Sequence, residues 1–276
     1  MDRRVADPRP SLATSSALTT VRSGPDRNRE LASLAGQYKS YVVLLPRLMP
    51  SAWLTILSWA ALSMGVVCAA AIAIDIFGRG YRQQMPVMDA VWPVTALYLG
   101  PLAWWSYRRW GRANSPRYRE RTGSEPDYGD EASVLIGVSH CGAGCTLGDI
   151  IGAWVVFAAG WELLGLALPV EYIADFLLAF VLGIAFQYFS IAPARGLGLR
   201  DGVLAALKAD TLSLISFEVG LFGWMAVMQL VMFDAPHLRP DHAAYWMLMQ
   251  VGMIVGFLTA VPANAWLIRR GIKEAM

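Results

Sequence analysis

Six stretches of this chain are long and apolar enough to cross a bilayer, and few folds are open to a chain with so much hydrocarbon surface. They run over about 51–76, 87–107, 146–168, 173–194, 209–233 and 243–268, each near the ~20 residues that span a ~30 Å hydrocarbon core. In lipid every backbone N–H and C=O needs a partner within the protein, which for runs of this length means helices. The chain is 56% hydrophobic and only 16% charged, which argues against a soluble globule of this length.

The basic residues sort these stretches. With the N-terminus in the cytoplasm, 20 of the 23 lysines and arginines fall on the inner side, and only Arg79, Arg82 and Arg239 on the outer. That asymmetry is the positive-inside rule. The expected fold is all-α, a polytopic protein of six transmembrane helices with both termini cytoplasmic. Its parts are a basic tail without regular structure (1–48), a two-helix hairpin (49–110), a polar cytoplasmic linker (111–132) and a four-helix membrane domain (133–276). Pro93 and Pro101 predict bends in the second span, since proline removes a backbone donor.

The stretch Ser139-His140-Cys141-Gly142-Ala143-Gly144-Cys145-Thr146-Leu147-Gly148-Asp149 concentrates chemistry. An imidazole, two thiols and a carboxylate lie within ten residues, among glycines that favour a non-helical backbone. Thr146-x-x-Asp149 has the form of a capping box, so the third helix is expected to start there, with a loop at its cytoplasmic mouth. Thiolate and imidazole together suit Cu(I) or Zn(II), giving His140, Cys141, Cys145 and Asp149 as candidate metal ligands. The same residues read equally as packing, with cysteine as a compact filler. A thiol redox pair is a third, weaker reading, because C-x₃-C is looser than C-x₂-C. Gly144, Gly148 and Gly152 form a small-residue stripe that lets another helix approach, as do Gly252 and Gly256.

The runs HCGAGCTLGDIIGAW (140–154), GIAFQYFSIAP (183–193) and KADTLSLISFEVGLFGWM (208–225) resemble a prokaryotic membrane family catalogued as domain of unknown function 4396. The resemblance covers about residues 133–276. It implies a multi-pass protein of a prokaryotic cytoplasmic (inner) membrane and supplies no established activity.

Polar side chains within the spans each need a reason, since a charge at the centre of a membrane helix costs ~2.5–3.5 kcal/mol even on insertion scales. Glu218, Gln187, Tyr188 and Asn264 are expected to converge beneath the His140–Asp149 loop, either as a polar pocket or as interhelical hydrogen bonds. Glu162 belongs to the outer half, near the headgroups with Glu171 and Asp175, and is expected to be partly hydrated. Met225, Met228, Met232, Met249 and Met253, with His237 and His242 in the outer turn, outline a soft-ligand path that would suit copper. They read as flexible core fillers just as well.

No phosphate-binding or zinc-protease motif is present, and the sequence leans away from an enzyme. The functional expectation is binding or transport of a soft metal ion, copper or zinc, through the Cys/His site. The alternatives are a non-catalytic assembly component of a larger complex and a thiol-linked redox protein. The partners expected are the lipid bilayer and a membrane protein or a second copy of the chain, with no nucleic acid.

Overall fold

The computed structural model describes residues 51–123, 129–163, 165–233 and 237–273. The expected basic tail (1–48), including all eight of its basic residues, and Pro126 of the expected linker lie outside the described residues. The described chain is helical, with no strand among those residues. Its elements are α1 (Ala52–Ala73, continued by a π-helical turn Ile74–Gly78), α2 (Met88–Leu99), α3 (Pro101–Ser106), α4 (Pro116–Thr122), α5 (Asp130–Ala159), α6 (Leu168–Arg195), α7 (Leu199–Val227, continued by a π-helical turn Met228–Met232) and α8 (Ala243–Arg269).

Five of these helices are long and apolar enough to cross a membrane: Ala52–Gly78, Asp130–Ala159, Leu168–Arg195, Leu199–Met232 and Ala243–Arg269. They are apolar on all sides rather than on one stripe, as expected of helices with lipid as well as protein around them. Trp59, Val66, Val181, Val219, Val231 and Leu258 are exposed to the surroundings. Five such helices point to a multi-pass membrane protein.

The expected second span, 87–107, is not one helix. Gly100 breaks it at φ +52°, a conformation open to glycine and strained for other residues. Pro101 then starts α3 at its first position, where a missing N–H costs nothing. The break is a reversal and not a bend. Trp92 packs edge-on against Tyr107, with ring centroids 5.8 Å apart, and a Cβ at Gly111 would lie 2.6 Å from the Trp92 ring. On a straight helix, positions 92 and 111 would stand ~28 Å apart at 1.5 Å per residue. The segment 88–111 is therefore a re-entrant hairpin that enters and leaves by one face.

Its tip reaches mid-bundle. The Gln250 amide of α8 donates to the Leu97 carbonyl at 2.6 Å, supplying a partner to a carbonyl near the end of α2. At the hairpin's open end, the Tyr107 hydroxyl donates to Asp75 at 3.0 Å and Arg112 pairs with Asp75 at 3.3 Å. Arg121 donates to the Tyr81 hydroxyl at 3.2 Å. The expected linker is thus partly folded: α4 is capped by Ser115, whose hydroxyl accepts from the Tyr118 N–H, and it belongs to the same face as the end of α1.

Helices α5 to α8 form an antiparallel block. Gly144, Gly148 and Gly152 do what a stripe of small residues predicts. Added Cβ atoms would strike the backbone of Gly183 and Ala179 and the Asp175 carboxylate, respectively, so α5 and α6 approach as closely as backbones allow. On α8, a Cβ at Gly256 would lie 2.7 Å from the Phe217 carbonyl, and one at Gly252 2.6 Å from Leu221. Both stripes are used inside the chain.

Candidate functional site

The run His140–Asp149 is not a loop. It lies within α5, which is continuous over 30 residues, about 45 Å at 1.5 Å per residue. Cys145 is fifteen residues from Asp130 and fourteen from Ala159, which moves the expected site from the cytoplasmic mouth to mid-helix. The capping box is absent as well: Thr146 is buried inside the helix, and its hydroxyl has no hydrogen-bond partner among the described residues. The small residues here keep a helix because α6 packs directly on them, and tertiary contact overrides glycine's weak propensity.

A continuous helix separates the four expected ligands. Cys141, Cys145 and Asp149, spaced i, i+4 and i+8, share one face. His140 lies about a quarter-turn away. Its Nε2 is 3.3 Å from the Ser190 hydroxyl on α6, and its ring stands edge-on to Phe186. Among the described residues, no group of three or more His, Cys, Asp or Glu side chains is arranged to hold a metal ion.

The Cys141–Asp149 face meets another set of groups instead. Glu218, near the middle of α7, is a neighbour of Cys145 and Asp149, and Asp175 on α6 is a neighbour of both Asp149 and Glu218. Asp149, Asp175 and Glu218 are 0%, 4% and 2% exposed. Neither oxygen of Asp149 or of Glu218 has a hydrogen-bond partner among the described residues, nor does Asp175 Oδ1. The unpartnered hydroxyls of Thr146, Tyr98 and Tyr245 are buried in the same block. Tyr98 comes from the tip of the re-entrant hairpin; a Cβ at Gly142 would lie 2.9 Å from its hydroxyl. Three carboxyl groups from three helices therefore gather in the middle of the bundle, with no counter-charge beside them among the described residues.

Above this layer lies Glu171, which is 4% exposed and faces Tyr245. It lines a cavity of about 280 Å³ that also touches Glu162, Gln229, His237 and Arg239. Glu162 is exposed, whereas Glu171 and Asp175, expected near the headgroups with it, are both buried. A carboxylate near a helix end looks interfacial in sequence, but Asp175 is drawn inward where Gly152 leaves room for it.

Below the central layer lies a second polar group. Lys273 Nζ is 2.9 Å from Asp210 Oδ1 and 3.3 Å from the Gly137 carbonyl. Asn264 donates to the Ser213 hydroxyl at 2.6 Å and to the Ala260 carbonyl at 3.0 Å. The expected convergence of Glu218, Gln187, Tyr188 and Asn264 thus divides. Asn264 belongs to this lower group and Glu218 to the central one. Gln187 is buried with Oε1 unpartnered among the described residues, while half-buried Tyr188 packs on Gly202 at the start of α7.

The methionines pack as core. Met225, Met228, Met249 and Met253 are buried in the α7–α8 cluster with Leu221 and Leu248. Met232 does not share their face; the π-helical turn brings it out to 50% exposure. His237 turns Nδ1 to the Gln229 and Phe233 carbonyls, at 3.0 and 3.1 Å, and His242 lies 3.7 Å from Asp241.

Sequence reasoning missed Asp210, Lys273 and the central role of Asp175. Asp210 precedes the apolar run of α7 and resembles a juxtamembrane residue, and Lys273 resembles a terminal anchor. The usable signal was Gly271, a helix stop two residues before a lysine.

No curated protein and no solved structure matches the chain. A family model described as a domain of unknown function, DUF4396, matches residues 132–273, which takes in α5 to α8 together with Lys273. With more than half of its length under that match, the chain belongs to the DUF4396 family.

Proposed function

We propose that the protein moves protons across the membrane through the four-helix block, as the charge-carrying part of a cation carrier. One observation carries the reading: Asp149 and Glu218 are buried mid-bundle, and among the described residues no cation meets their carboxyl groups, with only the Cys145 thiol beside Glu218. Two bare carboxylates in that position are costly, because the loss of hydration is not repaid by any pairing. A proton on each oxygen pair removes the cost, and groups that gain and lose protons at membrane depth mark proton relays. In the proposed sequence, Glu171 takes a proton from the outer cavity and passes it to Asp175. Asp175 passes it to the Asp149–Glu218 pair, each donor being left as the carboxylate until it is reprotonated.

The proposed topology has five crossings plus the re-entrant hairpin. Among the described residues, the face that gathers Arg79, Arg82, the arginines of 108–121, Arg195, Arg200, Lys208, Arg269 and Arg270 is proposed to be cytoplasmic, while the opposite face has Arg239. Five crossings leave Ser51 and Lys273 on opposite sides, so the six-span arrangement with both ends cytoplasmic loses its support. The prokaryotic inner membrane is the location that the family resemblance implies.

A soft-metal cargo, copper in particular, keeps the support of one observation. Cys141 and Cys145 are both fully buried and stacked one turn apart beside Glu218. His140 is turned away, however, and two thiols fall short of the four ligands of a structural zinc site. The assembly reading loses the glycine stripes, which pack within the chain.

The test is proton flux into liposomes that hold a pH-sensitive dye. The unaltered protein should dissipate an imposed pH gradient, and Glu218→Gln or Asp149→Asn should stop it. Equal flux in all three sinks the proposal. Metal analysis of protein isolated without chelators, before and after Cys141→Ser and Cys145→Ser, tests the copper reading separately.

A further inference from the structure

Lys273 is almost fully buried, at 2% exposed, and its position is written into the end of α8. Gly271 takes φ +67°. The Gly271 N–H bonds to the Ile268 carbonyl at 2.9 Å and the Ile272 N–H to Leu267 at 3.0 Å. This is a Schellman stop, which reverses the chain at the glycine. The reversal sends the lysine side chain back into the bundle instead of out to the headgroups, where its stem would otherwise snorkel.

The ammonium then sits in a cage of oxygens. Asp210 Oδ1 and the Gly137 carbonyl accept from it, at 2.9 and 3.3 Å. A Cβ at Gly137 would lie 3.7 Å from both Asn264 Oδ1 and Lys273 Cε, so that amide oxygen flanks the same spot. Asn264 Oδ1 and Asp210 Oδ2 have no hydrogen-bond partner among the described residues, and both side chains are fully buried. An ammonium has three donors, two of which are used here, and the cage offers more acceptors than the lysine engages. Beside the turn, Gly271 and Ile272 line a cavity of about 480 Å³ on the basic face, together with Arg195, Asp201 and Lys208.

We propose that Asp210, the Gly137 carbonyl and Asn264 form a binding site for a compact monovalent cation, ammonium or an alkali ion, which Lys273 fills as a tethered occupant. Hard oxygen donors suit such ions. A single carboxylate matches one positive charge. When Lys273 withdraws, the cage opens toward the basic-face cavity and admits a free ion in its place. The site stands on the geometry around Asp210 alone and holds whether or not the carboxyl layer above it carries protons.

The experiment uses the full chain in detergent. Lys273→Ala should lower the unfolding temperature by on the order of 10 °C, because it leaves the Asp210 charge buried and unpaired. Methylammonium, ammonium or potassium chloride should restore most of that loss saturably, at constant ionic strength, with choline chloride inert. A second measurement needs no variant. Acylation of Lys273 in the unaltered protein, read by mass spectrometry, should be at least tenfold slower than that of exposed Lys208, and should rise saturably with potassium but not choline. Restoration by choline as well as by the small ions, or by none of them, overturns the site. So does acylation of Lys273 that matches Lys208 or ignores potassium. If Lys273→Ala does not fold, the acylation result decides alone.

Discussion

Two polar layers, a few turns apart in one bundle, handle buried charge in opposite ways. In the lower layer Asp210 meets Lys273 at 2.9 Å, with both side chains fully enclosed. In the central layer Asp149, Asp175 and Glu218 come together with no cation beside them among the described residues. Burial is the same in both, so burial does not explain the difference. A paired charge has its compensation within the chain, whereas an unpaired cluster takes its compensation from outside, as protons or as an ion. The contrast separates a layer whose buried charge is paired within the chain from one whose carboxyl groups are left without a cation among the described residues.

The largest effect should come from breaking the pair. Asp210→Ala leaves an ammonium in a dry site and should cost about 3–5 kcal/mol of stability, measured by thermal unfolding in detergent. The double variant Asp210→Asn with Lys273→Met should recover most of that loss, since neutral groups of similar volume remove the stranded charge. A double variant as unstable as Asp210→Ala would show that the layer is held by more than charge pairing.

Gly148→Leu should come next, at about 1–3 kcal/mol or more, because the new side chain meets the Ala179 backbone. Forcing α5 from α6 parts Asp149 from Asp175 while leaving Asp210 and Lys273 on their own helices. Proton flux should therefore fall while slow acylation of Lys273 persists. Loss of both together would mean that the layers are one cooperative unit.

Gly100→Val strains the hairpin tip, where φ is +52°, and should cost about 1–3 kcal/mol. Displaced from Gly142, Tyr98 should uncover the thiols, read as faster maleimide labelling of Cys141 and Cys145. The smallest change in stability belongs to Glu218→Gln, within about 1 kcal/mol in either direction, since the amide keeps the carboxyl's volume and an oxygen for the Cys145 thiol. It should nonetheless abolish proton flux. If it destabilises as much as Asp210→Ala, the central layer is structural too.

The sequence made much of this plain, and its failures share a cause. The glycines at 144, 148 and 152 announced a close helix contact, which α6 supplies. The same small residues, read with Ser139, His140 and Thr146, also suggested a loop. A helix enclosed by other helices need not look like one that faces lipid, and α5 is lined through this run by neighbouring protein. The stretch 87–107 erred the other way. Its apolar length is that of a span, and only the contacts of Trp92 with Tyr107 and Gly111 reveal a hairpin.

Hydrophobicity along the chain, by itself, determined that this protein lives in a membrane as a set of helices, because the transfer of each stretch into lipid is a local quantity. The pattern of small residues likewise announced which faces would touch. Which charges meet is a different kind of fact. Asp210 and Lys273 are 63 positions apart, and Asp149, Asp175 and Glu218 lie on three separate helices. Their pairing or isolation depends on helix register and on the reversal at Gly271, and only the assembled bundle sets these, since charge interactions are decided by distance in space.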